Sequence, residues 1–584
     1  MALRDRAWRS GPVVAWVVLL VATILAPLAR PGYLLRADMV STPQQYLVPD
    51  AWGVGDSVPR AVPLDAVVAL ATTVLDGGVV VRLILVIALL LAGLGAARLV
   101  PGGRLVSAAA ATLTIWNPYV AERLLMGNWA LLLAFGALPW AVAAALDLRQ
   151  GLPASGWRLT GWLALTCLTP PGAVLGLLTV LPVVAWPGDR SWVRRSALAT
   201  VIVVGLNLPW IIPSILHPSS GRSDEVGVGI FAAKADTSLG LVGSLLGVGG
   251  IWNEDAVPAS RASPASAVFT VVLLALAVLG LPRVRDAWGR GALGLVAAAA
   301  AGLGVALWGA TAPESLAWLV ETLPGPGLLR DGHRFLAPLA LLLGCTAPVG
   351  LAVVGRRVLP GQPGALVGVG ALLIPLAVMP DLAWGGLGRV SPVAFPADWY
   401  EVRDVLSGEE DNSDVVSLPW WSFRRFPWNA DRSVLDPLPR FVDRVAVTAS
   451  DLAVGTDDGV VVVPGENRRS ERVGSLVESG RPLTETLPSE GIGWAVLAKD
   501  TSGAVPSSAL IGATLVVDGE HLALYRLADA DQLPTGSSPR AGAAVVAGVD
   551  VAVLGLVVVA LVSGWLQRRE SCYSSGINMK GESR

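Results

Sequence analysis

Cysteine and histidine are nearly missing, with three of each in 584 residues. Cys167, Cys345 and Cys572 form no CxxC pair and have no histidine at ligand spacing, so neither a disulfide framework nor a zinc site is indicated. Charge is scarce too. Asp, Glu, Lys and Arg make up 15% of the chain, the net charge is −2, and no long basic run suggests a nucleic-acid partner. There is no Walker loop, G-x-S-x-G elbow, H-E-x-x-H pair or dinucleotide fingerprint, which disfavours nucleotide-driven and zinc chemistry.

What the chain has in abundance is apolar sequence. It is 53% hydrophobic with a mean hydropathy of +0.61, and its apolar runs reach bilayer-spanning length, so it reads as a polytopic α-helical membrane protein. Windows at roughly 12–30, 79–99, 104–120, 128–147, 158–171, 172–187, 196–216, 265–283, 291–310, 335–355, 363–384 and 542–566 predict about twelve helices. The stretch "TPPGA", Thr169 to Ala173, reads as the turn between the two shortest. The first run, Gly11 to Leu28, follows a basic stretch but is long and lacks an A-x-A cleavage site, so it reads as a retained signal anchor.

Arginine placement tests the count, because alternate loops must carry the positive charge if no span is missed. One set of segments holds Arg4, Arg6 and Arg9, then Arg98 and Arg104, Arg149 and Arg158, Arg190, Arg194 and Arg195, Arg283, Arg285 and Arg290, Arg356 and Arg357, and finally Arg568 and Arg569. These are expected in the cytoplasm, with both termini. The opposite set comprises the acidic loop 30–78, a short turn around Glu122 and Arg123, the loops 217–264 and 311–334, and the block 386–541. These are expected outside a plasma membrane.

The expected organisation is therefore a multi-spanning domain over 1–385, an outer α/β domain over 386–541, a last helix at 542–566 and a polar, disordered tail at 567–584. Alternating stretches such as "DVVSLPW", "GVVVVPG", "GWAVLAKD" and "ATLVVDGEHLALYRL" read as strands of the outer domain, and "RRSERVGSLVESG" as its helix. The apolar, glycine-rich run Ala235 to Trp252 reads as an interfacial or re-entrant helix rather than a span.

Polar chemistry gathers on the outer side. Asp38 lies about ten residues beyond the first span; alone, it reads as a helix cap or loop carboxylate as readily as a general base. In "WNPYVAERLLMGNWALL", Asn117-Pro118 ends one helix and starts a short one carrying Glu122 and Arg123, with Asn128 at the start of the next span. A solvated salt-bridged turn and the wall of a polar cavity explain it equally well. In "GPGLLRDGHRFLAP", Arg330 and Arg334 share a face if helical, beside Asp331 and His333. Two guanidiniums at a helix N-terminus suit a phosphate at headgroup depth, and interfacial snorkelling is the alternative. In the outer domain, Trp420, Trp421, Arg424, Arg425 and Trp428 offer either a glycan-contacting or membrane-docking surface or ordinary core packing.

Taken together, the acidic first loop, the "NPYVAERLLMGNWALLLAFGALPW" segment, the "LRDGHRF" stretch before a late span and the outer α/β domain resemble the GT-C glycosyltransferases of actinobacterial envelope assembly. The similarity is to arabinofuranosyltransferases and related polyprenol-dependent mannosyltransferases, over the architecture of most of residues 1–385. The resemblance implies transfer of an arabinofuranose- or mannose-class sugar from a polyprenyl-phosphate donor to an envelope glycan or glycolipid such as arabinogalactan or lipoarabinomannan, on the outer face. It implies Asp38 as base or acceptor-positioning residue, Arg330 and Arg334 with His333 at the donor phosphate, and Asp331, Glu122, Arg123, Asn128 and Asp50 as supporting polar groups. The first loop has no Asp-Asp or Asp-x-Asp pair, so nothing supports a divalent metal and no other cofactor is indicated. Two rivals remain: a flippase for a lipid-linked sugar, and a non-catalytic assembly factor. Transport usually leaves ionisable residues deep in spans or repeated halves with broken helices, and neither stands out here.

The topology has a direct check. Reporter fusions in the 386–541 block are expected to be active only for an outward-reading reporter, and fusions near Arg290 only for a cytoplasmic one; the reverse pattern would invert the assignment.

Overall fold

The computed structural model describes residues 9–581, apart from 189–190, 218–222, 359–363, 457–458, 502, 504 and 530–541. Arg4, Arg6 and Arg190 of the arginine set expected in the cytoplasm therefore lie outside the described residues. The chain is a multi-pass membrane protein. Among the described residues eight helices are long and apolar enough to cross a membrane, and nine if the pair Gly368–Val378 and Pro380–Leu387, bent by 72°, forms one span.

Twelve were expected; the window at 363–384 holds the bent pair, and the remaining difference lies in three windows. The windows at 104–120, 158–171 and 172–187 fold as Arg104–Ile115, Ser155–Thr166 and Pro170–Ala185, of 12, 12 and 16 residues. These are shorter than a bilayer needs. Breakers set the limits. Asn117 caps a new helix, Pro118–Leu125, by accepting from the Val120 amide, and Thr169 caps Pro170–Ala185 by accepting from the Gly172 amide. Proline at the first helical position begins both, because its missing N–H is not needed there. Arg104–Ile115 is buried along most of its length inside the bundle. The run Ala235 to Trp252 holds only the seven-residue helix Gly240–Leu246. The last helix, Ala543–Gly581, continues past residue 566 into the tail expected to be disordered; no proline interrupts that stretch.

Bundle packing depends on small residues where helices cross. Pro264–Trp288 and Ala337–Val358 meet at Gly280 and Gly350, where a Cβ on the first would collide with the Thr346 carbonyl and one on the second with the Leu276 carbonyl.

Strands lie outside the bundle. The first outer loop forms the hairpin β1 (Leu35–Arg36) and β2 (Met39–Val40). The outer domain contributes β3 (Asp414–Leu418), β4 (Phe423–Arg425), β5 (Ser433–Leu435), β6 (Ala446–Val447), β7 (Leu452–Thr456), β8 (Gly459–Val463), β9 (Ile492–Ala498), β10 (Thr514–Asp518) and β11 (Leu522–Arg526). Its main sheet runs β10-β11-β9-β3-β6, with β3 parallel to both β6 and β9 and the remaining pairs antiparallel. β4 with β5 and β7 with β8 form separate antiparallel pairs. The helix Arg468–Glu478 sits where the sequence predicts it.

The first loop is built into this domain. Leu35 and Val40 are buried in the same apolar cluster as Phe395, Trp399, Phe426 and Phe441, the Ala37 amide donates to the Ser433 carbonyl at 2.7 Å, and the Leu435 amide donates back to Ala37 at 2.9 Å. Strand pairing and shared burial thus fix the hairpin that carries Asp38.

Gly350→Val is expected to cost about 1–3 kcal/mol, as overpacked sites do, read as a lower unfolding midpoint in detergent. Gly205→Ala, at a position with no neighbour near its Cβ, should leave the midpoint unchanged.

Candidate functional site

Asp38 sits in the two-residue turn between β1 and β2. Its amide donates to the Met126 carbonyl at 3.3 Å, so the turn rests on the loop after helix Pro118–Leu125. Gly127 makes this approach possible: its φ is +76°, and a Cβ there would strike the Arg36 carbonyl and the Met39 amide.

From Asp38 a chain of polar side chains leads inward. Asn128 Nδ2 donates to Asp38 Oδ2 at 2.7 Å, and Arg123 Nη1 donates to Asn128 Oδ1 at 2.8 Å. Arg123 grips Asp331 with both terminal nitrogens, Nη1 to Oδ2 at 3.0 Å and Nη2 to Oδ1 at 3.3 Å. Asp331 Oδ2 also accepts from Arg334 Nε at 2.8 Å. Behind Arg123, its Nη2 meets His333 Nδ1, and His333 Nε2 lies 2.9 Å from Glu122 Oε2, which accepts the Ile251 amide at 3.1 Å. Since a permanently protonated guanidinium faces Nδ1, the network assigns the ring proton to Nε2, toward Glu122. Tyr119 stacks on His333 with centroids 5.7 Å apart, and its hydroxyl donates to the Arg334 carbonyl at 2.9 Å.

Burial makes these contacts consequential. The side chains of Arg123 and Glu122 have no exposure and His333 has 1%. Burial pushes the Asp331 carboxyl up, but the guanidiniums of Arg123 and Arg334 outweigh it and hold it well below the usual carboxylate range. At Asp38 the balance falls the other way: burial raises its carboxyl despite Arg334 and the Asn128 hydrogen bond. Burial likewise raises Glu122 against the pull of His333.

A cavity of about 1880 Å³ opens between the outer loops and the outer domain, and Asp38, Asn128, Asp331, Arg334 and Arg330 all line it. Arg334 is 28% exposed, and beyond the Asp331 bond its side chain makes no hydrogen bond or ion pair among the described residues. Its terminal nitrogens are therefore free for a ligand.

The structure thus brings Asp38, Asn128, Arg123, Glu122, Asp331, His333 and Arg334 into one network, and leaves other expected residues outside it. Residues 332–336 form a short 3₁₀ segment before the α-helix, so the N-terminus pictured for Arg330 and Arg334 is not a regular helical turn. Arg330 turns away to Glu466, with Nη2 3.2 Å from Oε1. His333 is sealed from the cavity. Asp50 lines the cavity but serves its own loop, accepting the Ser57 amide at 2.9 Å.

The tryptophan-arginine stretch divides. Arg424 is buried and ion-paired to Asp436 at 2.9 Å, Trp428 stacks on Phe426 with centroids 4.9 Å apart, and Trp420 lies against Gly474. Core packing claims these three, because apolar neighbours and an internal carboxylate surround them. Only Trp421 and Arg425 of the five are exposed. Sequence reasoning missed Tyr119 and Gly127. The glycine between two polar-rich segments in "LLMGNW" was the one available signal for the latter.

Among the described residues no group of three or more His, Cys, Asp or Glu side chains is placed to hold a metal ion.

No family model matches the chain, and no curated protein does. Solved structures do. A single-particle cryo-EM structure of the arabinofuranosyltransferase AftD from Mycobacteria superposes with a TM-score of 0.56 at 17% identity, over 90% of this chain and 40% of that one. Class 2 of its R1389S mutant gives the same score and identity over 90% and 42%. The crystal structure of apo ArnT from Cupriavidus metallidurans scores 0.45 at 13% identity, over 90% of this chain and all of that one. The likeness to AftD shows a common fold, and this chain spans about two fifths of that protein's length.

Asp331→Asn strands the buried Arg123 charge and is expected to cost about 3–5 kcal/mol of stability, whereas Trp421→Ala should fall within about 0.5 kcal/mol. Because Asp331 is held below its usual range, its stabilisation is complete at neutral pH and fades as pH drops below about 4. Denaturation curves against pH check this: the acid-side slope should shrink in the variant.

Proposed function

We propose that this protein is an integral membrane glycosyltransferase of GT-C type, moving an arabinofuranose- or mannose-class sugar from a polyprenyl-phosphate carrier to a glycan or glycolipid acceptor at the outer face of the plasma membrane. The observation that carries the reading is the placement of Asp38 and Arg334 on one cavity wall, joined through Asn128, Arg123 and Asp331. A carboxylate and a guanidinium with free terminal nitrogens are the two groups that a sugar phosphodiester reaction needs. The AftD-like fold is consistent with it.

In this reading the lipid phosphate rests on Arg334, whose terminal nitrogens suit two phosphate oxygens. The acceptor hydroxyl attacks the anomeric carbon while its proton passes to Asp38, and the bond from that carbon to the phosphate oxygen breaks with the electron pair leaving on phosphate. Arg334 then stabilises charge that grows in the transition state. Burial raises the Asp38 carboxyl, which strengthens it as a base. His333 and Glu122 act from behind by fixing Arg123.

Liposomes carrying the protein and a radiolabelled polyprenyl-phosphate sugar test this. Asp38→Asn is expected to lower transfer by about 10²–10⁴-fold with an unchanged unfolding midpoint; native rates in that variant would remove Asp38 as base. The acid limb of the pH profile should lie above the usual carboxylate value of about 4. In Arg334→Gln it should move higher still, because the opposing charge is lost.

A further inference from the structure

A second ionic cluster on the cavity wall has no part in the transfer step. Glu466, in the loop between β8 and helix Arg468–Glu478, places Oε1 3.2 Å from Arg330 Nη2 and Oε2 3.1 Å from Arg60 Nη2. The two guanidiniums come from different outer loops and share a single carboxylate, so the cluster carries an excess positive charge. All three residues line the cavity. Arg330 and Glu466 are largely buried, at 13% and 11% exposure, while Arg60 is 61% exposed. Arg330 is fixed in place, since its guanidinium lies 5.7 Å from the Phe231 ring centroid and its Nε donates to the Gly327 carbonyl at 3.2 Å.

The loop does not need Glu466 to stay docked. Asn467 Oδ1 accepts the amides of Arg469 and Ser470, and Arg469 Nη1 lies 3.2 Å from Asp56 and 2.6 Å from Asp414. A side-chain rotation at Glu466 alone would therefore uncover Arg60 and Arg330 without releasing the outer domain. The uncovered pair would present two planar guanidiniums across a short gap, an arrangement better matched by the three or more acceptor oxygens of a phosphate than by the two of a carboxylate.

We propose that Arg60 and Arg330 form a second anion site in the cavity, that it takes a phosphate group, and that Glu466 is the internal carboxylate this ligand displaces. The site would hold a phosphate other than the one at Arg334, either on a lipid headgroup or free in solution. It rests on the transferase reading only for the expectation that phosphate-bearing lipids visit the cavity; the ionic geometry is independent of it.

The full-length protein in detergent, titrated with inorganic phosphate, farnesyl phosphate and farnesol, provides the test. Glu466→Gln removes the competing charge with little change of shape and is expected to tighten phosphate binding by about tenfold, equivalent to about 1.4 kcal/mol, with no change for farnesol. Adding Arg330→Gln or Arg60→Gln should abolish the gain, and Glu466→Asp should show a smaller gain of the same sign. A gain for farnesyl phosphate alone supports a lipid-headgroup site, and a gain for both phosphates supports a general phosphate site. Unchanged affinity for both phosphates, or a gain that survives Arg330→Gln, overturns the proposal. Arg334→Gln should leave the gain intact, so a protein that transfers no sugar but still shows it would retain this site and lose the transferase reading.

Discussion

A fully buried guanidinium is the constraint on which the cavity side of this protein depends. Arg123 has no exposed surface, and a charge in that position is tolerated only when its partners are close and well aligned. It receives Asp331 from the loop before a late span, Asn128 from the start of another and His333 from behind. Two segments about 200 residues apart, 118–128 and 331–334, are thereby held at one point. Asp38 is tied to that point through Asn128, and Arg334 through Asp331. The same buried ion pair therefore sets where Asp38 and Arg334, the proposed base and the proposed phosphate-binding arginine, stand.

The outer domain supplies a second constraint from above. The hairpin that carries Asp38 pairs with β5 and buries Leu35 and Val40 in the domain's aromatic core, while its turn presses on Gly127 below. Asp38 is consequently gripped from both sides, and its position does not rest on a flexible loop. Because the cavity is walled partly by the membrane region and partly by the outer domain, groups at the seam such as Glu466 bear directly on what the cavity holds.

Much of this was legible in the sequence, for identifiable reasons. Long apolar runs and alternating strand patterns are local, so the eight long spans and the strands β3, β8, β9, β10 and β11 fall where the sequence places them. The three short helices were overcounted as spans because hydropathy reports burial, and helices covered by neighbouring helices are as apolar as those facing lipid. The cluster of charge at 330–334 signalled a site, but spacing alone did not distinguish Arg334, which faces the cavity with free nitrogens, from Arg330, which answers Glu466 more than a hundred residues away. The same limit applies to Trp428 and Arg424, whose aromatic and carboxylate neighbours come from elsewhere in the outer domain.

The central claim is that one cavity wall presents a base and a phosphate-binding arginine to the same lipid-linked sugar. Cryo-EM of the protein in nanodiscs with a polyprenyl phosphate bound tests it most directly. The account expects phosphate density at hydrogen-bonding distance from the Arg334 guanidinium, about 3 Å, with the open side of the phosphate turned toward Asp38. A phosphate bound elsewhere in the cavity, with Arg334 unengaged, would contradict it.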